Sequence, residues 1–286
     1  MKTIRLFTFT LTILFSIFVK SSEVQKLIYA AWDKPDVELF YKLPKEINPD
    51  TKVLFIIHGG SRDAERYLSY WLEHAKDKNV ILIAPHFTKE NFPYYQTLGM
   101  ATFSGRIIND KSEWLDNSIK NFFIFFKNKY SLKNDKYLMF GFSGGSQFIH
   151  RYLMYGNDKA IEKAAIGSAG WYTFISGEQF PYGIKNMPIE LGRIEWLLSQ
   201  EILFLLGTKD NNPNDSSLNK SRGAKKQGKH RLDRGNAYFK NLITVGDRFN
   251  VPFRWRYKLI EGLDHSTKDM SQAAASFILS DLDYKE

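Results

Sequence analysis

Gly141-Phe142-Ser143-Gly144-Gly145 is a G-x-S-x-G pattern set between an apolar run and an amphipathic stretch. A serine on so tight a strand-to-helix turn stands clear of its neighbours, beside the unsatisfied N–H groups of the helix start. A serine hydroxyl is a poor nucleophile until a base takes its proton. Of the six histidines, only His230 and His265 lie well beyond it. His265, in Glu261-Gly262-Leu263-Asp264-His265-Ser266, follows the last apolar run and is the expected base. His230 lies among lysines and arginines, where an imidazolium is disfavoured. Asp210, closing Gly207-Thr208-Lys209-Asp210, is the expected acid, and Asp215 and Asp233 are its competitors. A second glycine-rich turn, His58-Gly59-Gly60-Ser61, follows another buried run. Its backbone can approach a substrate carbonyl closely. Gly144 N–H and either Gly60 or Ser61 N–H are the expected oxyanion donors. His58 reads as a loop residue bonded within its own turn. Ser143, Asp210 and His265 together are more specific than G-x-S-x-G alone, which also occurs around idle serines.

The elements that must carry these residues alternate. Strands are expected at 26–31, 37–43, 53–57, 80–84 (ended by Pro85), 137–140, 164–166, 202–206 and 253–259. Helices are expected over 64–75, from Leu115 to Phe126, over 144–155, and with Met270, Ala274, Phe277 and Ile278 on one face. Continuous apolar runs such as Val53 to Ile57 suit strands buried on both faces. The expected fold is α/β, a mostly parallel central sheet flanked by helices. Two stretches break the alternation. Residues 87–109 read as a surface excursion. Residues 171–200 read as a lid insertion after the strand near 161–168. Residues 211–235 form a third, basic excursion.

These residues resemble the α/β-hydrolase superfamily, and more narrowly the secreted polyhydroxybutyrate-depolymerase-like and feruloyl-esterase-like bacterial hydrolases. The pieces that carry the resemblance are 58–64, 141–145, 207–210 and 262–265. The stretch from Gln227 to Gly235 also looks like a motif of a related hydrolase group of unassigned substrate. The resemblance implies ester hydrolysis through an acyl-enzyme, without a cofactor. Exported depolymerases of that kind often carry disulfides and a polymer-binding module. Neither cysteines nor such a module is read in this sequence, a departure that weakens the expectation of polymer degradation and leaves it open.

The first residues point to export. Lys2 and Arg5 precede an uncharged run from Leu6 to Val19, short for a membrane span and suited to a signal peptide over 1–21, cleaved after Ser21. An uncleaved anchor is the alternative. The expectation is a secreted or periplasmic domain over 22–286 with no stable membrane span after cleavage. Without cysteines it can use neither disulfides nor thiolate metal sites. No HExxH or other close ligand pair points to a metal. The net charge is +9, and loss of Lys2, Arg5 and Lys20 removes three of those charges. Lys220, Arg222, Lys225, Lys226, Lys229, Arg231 and Arg234 crowd one segment, which reads as a solvated basic face. No nucleic-acid-binding motif accompanies it.

The expected substrate is a small or oligomeric ester. Tyr95 in the first excursion and Trp171 and Tyr172 in the second are candidates for lining an acyl or aryl pocket. Arg193, Arg231 or Arg234 could hold an acidic substrate group. A serine peptidase uses the same three residues, and a non-catalytic binding protein on this fold is the third reading.

Overall fold

The computed structural model describes residues 23–284. The expected signal peptide lies outside them.

Eight strands form one open sheet: β1 (Gln25–Tyr29), β2 (Val37–Lys42), β3 (Lys52–Ile57), β4 (Val80–His86), β5 (Tyr137–Phe142), β6 (Ile161–Gly167), β7 (Glu201–Gly207) and β8 (Arg256–Ile260). Their spatial order is β1-β2-β4-β3-β5-β6-β7-β8. The first two strands run antiparallel to their neighbours, and all later pairings are parallel. Side chains alternate between two cores, as the two-residue period of a strand requires. Val53, Phe55, Ile57, Tyr137 and Met139 enter one. Leu54, Ile56, Leu138, Phe140 and Phe142 enter the other.

Helices α1 (Ala64–Ser69) and α7 (Thr267–Ile278) contribute to the second core. Helices α2 (Ser118–Lys129), α3 (Gly144–Tyr155), α4 (Leu191–Ser199) and α6 (Arg231–Phe249) contribute to the first, and α5 (Arg222–Gln227) precedes α6. The chain leaves α-geometry after Ser69, earlier than expected. Bonds of three-residue span, Trp71 N to Leu68 O and Leu72 N to Ser69 O, replace the α-helical pattern. Trp71 still packs on Phe140 with ring centroids 4.8 Å apart. Strand β4 also runs past Pro85, because its ladder to β3 stops at Ile83 and Pro85 pairs with Leu39 of β2.

The excursions depart further from expectation. Residues 87–109 do not merely cross the surface: Phe87, Tyr95, Leu98 and Met100 are buried. Arg62 gathers this segment, donating to the carbonyls of Phe87, Thr88, Phe92 and Pro93. Its guanidinium also lies over the Tyr95 ring at 4.5 Å. The expected lid over 171–200 is largely built into the domain, with Tyr172, Thr173 and Phe180 buried and α4 at its end. Arg151, itself buried, ties the two excursions together. It donates to Gln96 O in the first and to Thr173 Oγ1 in the second. The basic excursion ends in the first turn of α6, and Arg231 and Arg234 are buried there rather than solvated.

Candidate active site

Ser143 N-caps α3 directly after β5, with φ 55° and ψ −115°, a conformation that only a tightly constrained turn holds. Gly145 is required by a close approach: a Cβ there would overlap the Ile57 carbonyl oxygen. The helix start is thereby pressed against the end of β3, whose following loop carries Gly60 and Ser61.

His265 Nε2 lies 3.0 Å from Ser143 Oγ, and His265 Nδ1 lies 2.7 Å from Asp210 Oδ2. The Phe142 ring packs beside the imidazole, with centroids 4.6 Å apart. The loops bearing the acid and the histidine are bonded to each other. Lys209 N donates to Leu263 O at 2.9 Å, and Gly262 N donates to Thr208 Oγ1 at 2.9 Å. Gly207 allows this approach, since a Cβ would collide with the Leu263 carbonyl. The expected three residues therefore meet. The competing acids do not reach the histidine: Asp215 pairs with Arg231, and Asp233 pairs with His230.

Gly60 N stands 3.0 Å from where a Cβ on Gly144 would lie, so the two proposed oxyanion donors adjoin. Gly144 N–H is one of the helix-start groups without an intrahelical acceptor. Ser61 Oγ instead accepts from Arg66 Nη2 at 3.3 Å. His58 is a loop residue, as expected. Its Nδ1 bonds Gly59 O at 2.9 Å, and its Nε2 accepts from Phe87 N at 3.1 Å. Burial pushes this histidine down to about 3, so it is neutral at ordinary pH.

A cavity of about 500 Å³ opens over Ser143 and His265. Arg66, Gln96, Phe103, Gln147, Trp171 and Asn219 contribute to its walls. Trp171 is the one expected aromatic that lines it. With the Gln147 carboxamide oxygen assigned to the side facing this wall, where it meets only donors, it accepts from Gly170 N and Trp171 Nε1, each at 3.2 Å. Tyr95 and Tyr172 do not line it. Tyr95 is buried beneath Gly144 and donates to His58 O at 2.9 Å. Tyr172 stacks on Tyr238, and its hydroxyl accepts from Ala169 N at 3.1 Å. Both rings are apolar enough to be drawn into the core, and their hydroxyls find backbone partners there.

Of the three arginines considered for anionic substrates, Arg193 is spent on the carbonyls of Tyr152, Leu153 and Asp158. Arg234 is spent on those of Gly170, Asn219 and Gly228. Arg231 reaches the cavity wall, but its charge meets Asp210 and Asp215. Sequence reasoning missed Arg66, at the mouth, and Phe103. The signal for Arg66 was its place one turn beyond the glycine-rich loop.

Solved structures place this architecture. The chain superposes on poly(aspartic acid) hydrolase-1 from Sphingomonas sp. KT-1 with a TM-score of 0.83 and 28% identity, covering 89% of this chain and 98% of that one. It superposes on a poly(3-hydroxybutyrate) depolymerase from Bordetella parapertussis with a TM-score of 0.81 and 22% identity, covering 92% of each. This chain has the α/β-hydrolase fold. An S-formylglutathione hydrolase from Agrobacterium tumefaciens shares the α/β-hydrolase architecture more distantly, with a TM-score of 0.58 and 11% identity over 93% of this chain and 99% of that one. No protein-family model and no curated protein matches the chain.

Proposed function

We propose that this α/β-hydrolase cleaves carboxylic esters through an acyl-enzyme on Ser143. The observation that carries the reading is the continuous chain from Ser143 Oγ through His265 to Asp210, at 3.0 Å and 2.7 Å. In this mechanism Ser143 Oγ attacks the acyl carbon and His265 Nε2 takes its proton. Asp210 orients the ring and stabilises the imidazolium that forms. The N–H groups of Gly144 and Gly60 hold the oxyanion. His265 then protonates the leaving alcohol, and water releases the acid by the same steps in reverse order. No cofactor enters this scheme. Phe103 and Trp171 supply apolar wall for an acyl or aryl group, while Arg66, paired with Asp63 at 3.0 Å, adds a polar stretch of wall.

A second reading is favoured by one comparison. The Sphingomonas relative is named for poly(aspartic acid), an amide-linked polymer. The same serine chemistry cleaves amides when the leaving nitrogen is protonated by the histidine. Fluorophosphonate labelling, with the adduct mapped by peptide mass spectrometry, tests both readings at once. Labelling of Ser143 that disappears in His265→Ala is the expected result. A folded protein that takes no label overturns both. Parallel turnover of p-nitrophenyl esters, short peptides and poly(aspartic acid) then separates ester from amide cleavage.

Export is part of this proposal and rests on the sequence of residues 1–21. N-terminal sequencing of protein recovered outside the cytoplasm is expected to begin at Ser22. A start at Met1 would replace the cleaved signal with an anchor.

A further inference from the structure

The stretch from Gln227 to Gly235 carries no chemistry that sequence reasoning can name, yet it braces the site. Gln227 exchanges two bonds with the Tyr172 backbone, at 2.9 and 2.7 Å. Arg234 holds Gly170 O on the cavity wall. Leu232 N donates to Asp210 O at 3.1 Å. Between them, Arg231 Nη1 reaches Asp210 Oδ1 at 3.3 Å, while Nη2 reaches Asp215 Oδ1 at 3.1 Å and Ser217 Oγ at 2.7 Å.

We propose that Arg231 is a positioning residue for the acyl transfer, holding Asp210 in register with His265 and moderating the carboxylate's pull on the imidazole. The proposal rests on the serine-hydrolase reading above. Its first ground is geometric. Asp210 gives one oxygen to His265 and the other to Arg231, so both carboxylate oxygens are engaged and the contacts favour one orientation of the group. Its second ground is electrostatic. Arg231 is 2% exposed and Asp210 4% exposed, so their charges interact with little screening from water. Arg231 divides its charge between Asp210 and Asp215. Burial pushes Asp215 up, but bonds from Ser217 and Arg231 outweigh it and hold this carboxyl well below its usual range.

The charged and titratable groups around His265 come from several elements. Asp210 faces it from the loop after β7, with Arg231 and Arg234 behind from α6. Asp215 lies beyond Arg231. Arg66 shares the cavity from α1. Tyr172 lies behind Asp210, its hydroxyl held neutral by burial. Among these, the Arg231–Asp215 pair is the adjustable part. Removing the guanidinium leaves Asp210 uncompensated and favours the imidazolium. Removing Asp215 leaves the guanidinium less neutralised and disfavours it. The two changes therefore move the acidic side of the activity profile in opposite directions.

The experiment measures kcat and KM against pH for the wild type, Arg231→Gln, Arg231→Lys and Asp215→Asn, with p-nitrophenyl ester and peptide anilide substrates. Arg231→Gln is expected to lower kcat roughly tenfold to a hundredfold with KM within about twofold. Its acid limb should move up in pH, and that of Asp215→Asn down by a smaller amount. Arg231→Lys restores the limb's position but only part of kcat, because one ammonium replaces a fork. A folded Arg231→Gln with wild-type kcat and an unmoved limb overturns the proposal while leaving the hydrolase reading intact. Where Arg231→Gln does not fold, an unmoved or upward limb in Asp215→Asn overturns it instead. A wild type that neither labels nor turns over any substrate is a failure of the hydrolase reading itself.

Discussion

The two halves of the candidate site are held by different forces. Ser143 is fixed by backbone sterics within one turn: a positive φ, a helix start, and Gly145 pressed on the end of β3. Asp210 and His265 are 55 residues apart and meet through cross-loop bonds and a side-chain brace from α6. A half held by sterics has little room to relax. A half held by side-chain bonds can be weakened in steps. The site thus combines a rigid nucleophile with an adjustable acid–base pair.

Removing a reacting group should erase this contrast, so the largest effects fall on both halves. Ser143→Ala is expected to lower turnover by roughly 10⁴-fold or more and to abolish labelling, with an unchanged unfolding curve. Asp210→Asn is expected to cost roughly 10³- to 10⁴-fold, because the amide favours the wrong imidazole tautomer. An Asp210→Asn protein within tenfold of the wild type would break the comparison, since the adjustable half would then contribute little.

Stability measurements sharpen it. Gly145→Ala should destabilise by about 1–3 kcal/mol in denaturant titrations, because its Cβ meets backbone that is clamped between sheet and helix. Gly207→Ala makes a similar collision with the Leu263 carbonyl, but between two loops that can separate. It should lose less stability and more activity, as the acid moves away from the histidine. The reverse ranking would mean that the acid side is the stiffer half.

The same division explains what was legible. The elbow around Ser143 is written in consecutive residues, and helix α3 begins and ends where its spacing indicates. Asp210 and His265 are readable because each follows a strand whose apolar run is plain. Helix α6 was not. Its buried face includes Arg231, Arg234, Gly235, Tyr238, Leu242 and Gly246, in which arginines and glycines stand where an apolar stripe is expected. Those arginines are buried because acids and carbonyls from distant segments meet them, and such pairings leave no local pattern. Tyr95 and Tyr172 failed as pocket residues for a related reason: aromatic content predicts burial, not which cavity the ring borders.

The rigid half also has a pH dependence of its own. His58 lies in the loop beside Gly145, and burial lowers it from 6.5 to about 3. The unfolded chain therefore binds this proton between those values while the folded chain does not. The sign follows: stability is full above pH 6.5 and falls as pH drops toward 3, by on the order of 4 kcal/mol for this one group. His150, buried in α3, shifts in the same direction. His58→Gln should be less stable at pH 7 yet show a shallower loss across this window in thermal melts. An equally steep loss would assign the acid sensitivity to other groups.

The smallest effect separates the cavity wall from its support. Trp171 touches the cavity, whereas the Tyr172 hydroxyl behind it accepts one bond from Ala169 N. Tyr172→Phe removes that acceptor and leaves the buried N–H unpaired, which should cost about 1–3 kcal/mol of stability with kcat/KM close to wild type. Trp171→Ala should instead raise KM for aryl and long acyl substrates, since it deletes apolar wall from the binding volume. If Tyr172→Phe raised KM as Trp171→Ala does, the tyrosine would have to reach the substrate, and the wall would be thinner and more mobile than its packing against Tyr238 implies.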